Sequence, residues 1–187
     1  MWALLTRGKA DRRHAFHLPV VATGAGGAVD ARTVVLRGVD PRRRVLRFHT
    51  DARSPKLLGL PVGAPVAWVF YAPRLKQQVR ARGHVIAVPA AEVEAAWSRT
   101  RPMSRRCYRS PSPPGQPIAT PEAGWVSALD DARNAEDQGS TGRDAFTVVE
   151  TVIEELDWLY LQARGHLRGQ LRWQPDRDAF DATWVAP

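Results

Sequence analysis

Five side chains in the first third of the sequence have the types and order that phosphate binding requires. Arg32 and Arg37 bracket the largely apolar run Thr33-Val34-Val35-Leu36, Thr50 ends the strand-like stretch Val45-Leu46-Arg47-Phe48-His49-Thr50, and Ser54-Pro55 leads directly to Lys56. Cations gathered where a helix start leaves backbone N–H groups unpaired bind phosphate through charge-assisted hydrogen bonds and a favourable dipole. Ser54 and Thr50 would add hydroxyl donors. Without that convergence the same arginines are solvated charges at strand ends, and composition alone favours this plainer reading.

Other candidate chemistry is thinner. His14, His17, His49, His84 and His166 are spread singly, without the close helical spacing of a zinc site, so no metal is expected. Asp130-Asp131 and Glu154-Glu155 are adjacent pairs whose members point to opposite faces of a strand, so neither forms an acid/base couple there. No catalytic side chain is assigned. Arg42-Arg43-Arg44 and Arg105-Arg106 read first as solvated turn charges, with nucleic-acid contact well behind, because no reading element accompanies them.

Short strands must position these residues. Met1 to Arg13 fits a short helix, and Phe16 to Thr23 a strand that Pro19 pushes partly to an edge. After a turn at Gly24-Ala25-Gly26-Gly27, the β-branched stretch Ala31 to Gly38 predicts a hairpin strand closed by Asp40-Pro41. Val45 to Thr50 follows as an antiparallel strand, its connection being too short for a parallel crossover. A short helix starts at Ser54-Pro55. The continuous apolar run Val66 to Tyr71 predicts a strand buried on both faces. From Gln77 to Val88, Val79, Ala81, Gly83 and Val85 alternate with Gln78, Arg80, Arg82 and His84, the clearest half-buried strand of the chain.

Pro89 to Trp97 turns helical, and Arg99 to Arg143 is too rich in proline, serine and glycine for regular elements. Strands return at Phe146 to Leu161, His166 to Gln174 and Ala179 to Val185, with a turn at Gln174 to Asp178. About eight short strands with hairpin links predict an antiparallel barrel whose closure removes exposed edges, an open sandwich being the rival. Trp68, Trp125, Trp173 and Trp184 read as core or interface aromatics.

The bulk numbers agree with this picture. The 187 residues suit one compact domain, and 15 prolines, 14 glycines and seven tryptophans suit a turn-rich β fold. Lys and Arg number 27 against 19 acids, a formal charge of +8 that favours anionic partners. Cys107 is the single cysteine, which excludes an internal disulfide and suits a reducing cytoplasm. With no long apolar run, no membrane span is expected.

The order Arg32-Thr33-Val34-Val35-Leu36-Arg37, His49-Thr50, Ser54-Pro55-Lys56, Gln77-Gln78-Val79-Arg80 and Gly83 resembles the pyridoxamine 5'-phosphate oxidase pattern at similar spacing. Trp158, Arg164, His166 and Arg168 repeat the family's late Trp, Arg, His, Arg spacing, and Trp184-Val185-Ala186-Pro187 its hydrophobic-Ala-Pro ending. The resemblance implies a mainly β fold, an antiparallel FMN-binding split β-barrel of Greek-key type with a few short helices, as a single domain over 1–187 with an irregular insertion near 109–143.

It further implies that Arg32, Thr50, Ser54 and Lys56 cradle the FMN phosphate, with His49 beside the flavin pocket or capping its strand. Thr33, Val34, Val35 and Leu36 would line the isoalloxazine through their backbone, Gln78 would reach its polar edge, and Arg37 would lie between cofactor and substrate. Trp158 and Arg168 would close the site from the neighbouring subunit of a homodimer. A vitamin B6 phosphate would be held by Arg37, Trp97, Arg101, Arg164 and His166 and oxidised with oxygen as final acceptor.

Two departures separate cofactor from substrate. Trp97 stands where the family has a tyrosine and cannot accept a hydrogen bond, and Ser54-Pro55-Lys56 lacks the family's middle arginine. Arg53-Ser54-Pro55-Lys56, and Ser104-Arg105-Arg106-Cys107-Tyr108 followed by Ser112-Pro113-Pro114-Gly115, resemble instead a branch of oxidase-like flavoproteins. FMN binding thus transfers more firmly than B6 chemistry. The alternatives are an FMN enzyme of another small substrate, or a non-enzymatic barrel that binds anions or nucleic acid.

Overall fold

The computed structural model describes residues 1–25, 27–124 and 140–187. Helix α1 (Trp2–Ala10) precedes strands β1 (Val20–Ala25), β2 (Ala28–Thr33), β3 (Gly38–Asp40), β4 (Val45–Asp51), β5 (Pro65–Ala72) and β6 (Gln77–Ile86). Helices α2 (Ala90–Arg99) and α3 (Pro102–Arg105) follow, then β7 (Phe146–Tyr160), β8 (Leu167–Gln174) and β9 (Ala179–Val185). The hydrogen-bonded order is β2-β1-β5-β6-β7-β4-β3, with β8 on β7 and β9 on β8. This is the mainly antiparallel sheet expected of a split barrel, but its path does not close into a ring, so among the described residues β2, β3 and β9 remain edges. The expectation that closure removes every edge is therefore corrected.

The chain forms two compact units, one of Met1–Phe48, Gly59–Ala87 and Glu150–Pro187, the other of His49–Leu58 and Val88–Val149. In the first, Trp68 and Phe70 stack at 6.0 Å, with Phe16 5.4 Å from Phe70 and Phe48 5.7 Å from Trp68. All four are fully buried, each contributing roughly 1.5–3 kcal/mol through lost apolar exposure. Helix α1 reaches this core because Gly8 has no side chain: a Cβ there would lie 2.6 Å from the Phe16 Cβ. In the second unit, α2 buries Ala96 and Trp97 against Phe146 and Val148, with Tyr108 edge-on to Phe146 at 5.0 Å.

Strand β6 behaves as its alternation predicts: Val79, Ala81 and Val85 are buried, while Gln78, Arg80 and His84 are half-buried and Arg82 is exposed. Its register against β7 shifts between Arg82 and Gly83, where a Cβ on Gly83 would lie 1.8 Å from the Val152 carbonyl oxygen. Only glycine fits that bulge.

Three element expectations need correction. Strand β5 is not buried on both faces: Val66, Trp68, Phe70 and Ala72 are buried, but Tyr71 is 49% exposed. The stretch read as one strand from Ala31 to Gly38 is interrupted, because the backbone changes partners along it. Val34 N–H bonds the Pro19 carbonyl and Leu36 N–H the His17 carbonyl, after which Arg37 N–H bonds the Arg47 carbonyl beside β4. The strand expected from Phe16 begins only after Pro19, since Ala15–His17 form a 3-10 turn in which His14 Nδ1 accepts from the Phe16 N–H. Trp125 and Asp130-Asp131 lie outside the described residues.

Candidate functional site

In the second unit, the end of β4 and the 3-10 turn Pro55–Gly59 bring three predicted residues together. Lys56 Nζ donates to Thr50 Oγ1 at 2.9 Å and to Ser54 Oγ at 2.8 Å. Both hydroxyl residues are buried, and Lys56 is half-buried. Each hydroxyl oxygen accepts from the ammonium, so each O–H proton is free to donate elsewhere. One cation and two hydroxyl donors suit a phosphate monoester, the group by which FMN would be held there.

The loop around this cluster is fixed by its own ion pair. Arg53 donates to both carboxylate oxygens of buried Asp51 and, through Nη1, to the Ser110 carbonyl at 3.1 Å. The hydrogen bond from Arg53 to Asp51 raises the guanidinium pKa above its ordinary value. A Cβ on Gly115, whose φ is +86°, would lie 3.5 Å from Pro55 Cγ. The Arg53-Ser54-Pro55-Lys56 and Ser112-Pro113-Pro114-Gly115 motifs thus meet in one place. His49 packs edge-on to Phe146 at 4.9 Å.

The first unit carries the other flavin candidates. Arg32 is ion-paired to Asp30 and donates to Thr23 Oγ1 at 2.7 Å. In the stretch Thr33, Val34, Val35, Leu36, the N–H groups of Val34 and Leu36 are spent on the chain before β1, and Val35 N–H has no backbone partner among the described residues. The Arg37 side chain is half-buried without an ion pair among the described residues. Gln78 stands opposite Leu159, and Leu159 opposite Arg168. Trp158 projects from the other face of β7, 6.3 Å from Trp184.

Sequence reasoning missed the group that holds Arg168. Asp157 is almost fully buried and accepts from Arg80 Nη2 at 2.6 Å, Arg168 Nη2 at 2.7 Å and Gln170 Nε2 at 3.0 Å. Burial alone would raise its carboxyl pKa, but the bonds from Arg168, Gln170 and Arg80 outweigh that and hold it well below the usual carboxylate range. The arrangement sets the Arg80 and Arg168 guanidinium groups around one carboxylate on one face of the β6–β7–β8 sheet, with Glu155 acting further on Arg168. The available signal was strand alternation, which places Asp157 on the face opposite to Trp158 and in register with Arg80.

The predicted substrate residues fall in both units. Trp97 is 4% exposed and packs in the second unit's core, with the Arg105 guanidinium 4.8 Å above its ring. Arg101 is exposed at the start of α3 in the same unit. In the first unit Arg164 and His166 are exposed in the turn between β7 and β8, where Gly165 has φ +120° and His166 Nδ1 accepts from the Gln162 N–H at 3.3 Å.

Residues 3–89 match the family model described as pyridoxamine 5'-phosphate oxidase, FMN-binding domain. A pyridoxine/pyridoxamine 5'-phosphate oxidase of Kineococcus radiotolerans is 41% identical over 86 residues, 46% of this chain and 37% of that protein. This chain therefore spans well under half the length of that relative. Among solved structures, a pyridoxamine 5'-phosphate oxidase-related, FMN binding protein from Nostoc punctiforme superposes with a TM-score of 0.74 at 21% identity, covering 99% of this chain and 95% of that one. PhzG from Burkholderia lata, in complex with tetrahydrophenazine-1-carboxylic acid, superposes with a TM-score of 0.72 at 18% identity, covering 99% and 89%. At these identities the two structures establish the shared fold.

Proposed function

We propose that this chain, whose residues 3–89 match the FMN-binding domain model of pyridoxamine 5'-phosphate oxidase, is an FMN-dependent oxidoreductase that works as a homodimer in the cytoplasm. The observation that carries the reading is the junction of Lys56 with the buried Thr50 and Ser54 hydroxyls, a phosphate-sized donor set built from three residues of the family pattern. When bound, FMN supplies a hydride-accepting ring, and the protein supplies anchoring, orientation and a dry face. Lys56, Thr50 and Ser54 anchor the phosphate, with Arg32 as a further cation and His49 beside them. The backbone of Thr33 to Leu36 and the Gln78 amide orient the ring. Trp158 and Arg168 complete the pocket of the partner subunit.

For the substrate, the first reading is a vitamin B6 phosphate bound by Arg37, Arg101, Arg164 and His166, with oxygen as acceptor. The burial of Trp97 favours a second reading, in which the same cofactor cradle serves another small anionic substrate, because that side chain is already used in packing. Turnover of pyridoxamine 5'-phosphate by the FMN-loaded protein separates the two. The first reading expects hydrogen peroxide formation that falls at least tenfold in Arg164→Ala and His166→Ala. A yellow protein with no such turnover leaves the second.

A further inference from the structure

A cavity of about 640 Å³ in the first unit has no part in the flavin reading: none of its lining residues is among those assigned above to flavin or substrate. Its basic rim is Arg7 from the last turn of α1, Arg13 from the following loop and Arg74 from the 3-10 turn Pro73–Leu75 between β5 and β6. Its body is apolar, formed by Ala15, Ala72, Pro73 and Leu75, with Leu75 46% exposed. None of the three guanidiniums is ion-paired among the described residues, although Asp11 also lines the cavity; that carboxylate accepts instead from the Arg13 backbone N–H at 2.9 Å. His14, the remaining polar lining residue, is held below its ordinary pKa by burial and by the nearby Arg7, with Asp11 pulling the other way. Burial is the larger cause, so the ring adds little positive charge to the cavity at neutral pH.

Two cationic charges in excess over an apolar floor describe a ligand. Arginine forks grip phosphate or carboxylate in bidentate fashion, and a concave apolar body of a few hundred Å³ takes an organic group of metabolite size. Ordinary surface arginines of a basic protein are dispersed and solvated; these three line one concavity, Arg7 and Arg13 from α1 and the loop after it and Arg74 from the distant β5–β6 turn. We propose that this cavity binds a small organic phosphate monoester, its phosphate held by Arg7, Arg13 and Arg74 and its body laid on Ala15, Ala72 and Leu75. An extended polyanion would use the same charges without needing the apolar floor, which is why a compact ligand is the better match.

Phenyl phosphate is the minimal probe, with inorganic phosphate and phenol carrying each half of the recognition alone and a short single-stranded oligonucleotide standing for an extended anion. Titrations by calorimetry and by the His14 ring resonances would use the whole protein after loading with FMN and removal of unbound flavin, since free FMN is itself a phosphate monoester. The expected result is a dissociation constant near or below ~1 mM for phenyl phosphate, at least tenfold weaker binding of inorganic phosphate, no binding of phenol, and an upward shift of the His14 pKa on binding. The triple variant Arg7→Ala, Arg13→Ala, Arg74→Ala should lose at least tenfold in affinity while its melting temperature and flavin content stay unchanged. Single substitutions serve if the triple variant fails to fold. Absence of phenyl phosphate binding at 10-fold higher concentration, affinity unaltered by the substitutions, or tighter capture of the oligonucleotide through the same arginines would each overturn the proposal. The titration is equally informative for a protein that takes up no flavin, so its outcome is separate from that of the flavin reading.

Discussion

The Lys56 ammonium donates to two buried hydroxyls, which fix its position at the end of β4 and leave each O–H proton to donate to a phosphate. Replacing Lys56 with alanine removes one charge-assisted contact, and FMN affinity should fall by roughly 10- to 100-fold, about 1.4–3 kcal/mol, with little change in melting temperature. Fluorescence titration of FMN against both proteins checks this. Asp157 gives a prediction of a different kind. Its folded pKa lies below the ordinary carboxylate value, so its contribution to stability is complete above about pH 4 and is lost as pH falls below that, through protonation of the clamp. Asp157→Asn should lower stability at pH 7 by about 1–3 kcal/mol, since two partly exposed guanidiniums lose their shared acceptor but can turn to water. Urea unfolding at pH 7 and pH 3 would show the gap between wild type and variant shrinking at the lower pH.

Among the elements, β6 was legible because one face is buried and the other polar, and alternation is all the sequence needs to reveal that. The run from Ala31 to Gly38 was misread because β-branched residues favour extended backbone whatever their partners, and the exchange of partners from Pro19 and His17 to Arg47 leaves no trace in residue type. In β5 an unbroken apolar run hid an ordinary two-faced strand, since Ala67, Val69 and Tyr71 are apolar yet only partly covered. The Thr50–Ser54–Lys56 cluster was legible through motif order, whereas the Asp157 clamp depended on register across three strands, which appears only after folding. Gly83 tests the sheet directly. A methyl group there collides with the Val152 carbonyl, so Gly83→Ala should cost about 1–3 kcal/mol or more in thermal or urea unfolding and shift the register at the bulge. A variant as stable as wild type would contradict the close approach.

For the molecule as a whole, the charge of +8 favours anionic ligands in general, and the proposals above divide that tendency between a flavin phosphate and a second organic phosphate. Trp184 is 73% exposed on the terminal strand beside Gly169 and Trp158, an apolar surface consistent with the proposed homodimer. Sedimentation velocity should give a dimer, and Trp184→Ser should shift the population toward monomer. Among the described residues no helix is long and apolar enough to cross a membrane. The central claim, that the chain holds FMN, is tested most directly by the visible absorption spectrum of the purified protein after addition of FMN and removal of unbound flavin. The account predicts a retained flavin spectrum at close to one FMN per chain, released as FMN on denaturation; a colourless protein that retains no FMN would contradict it.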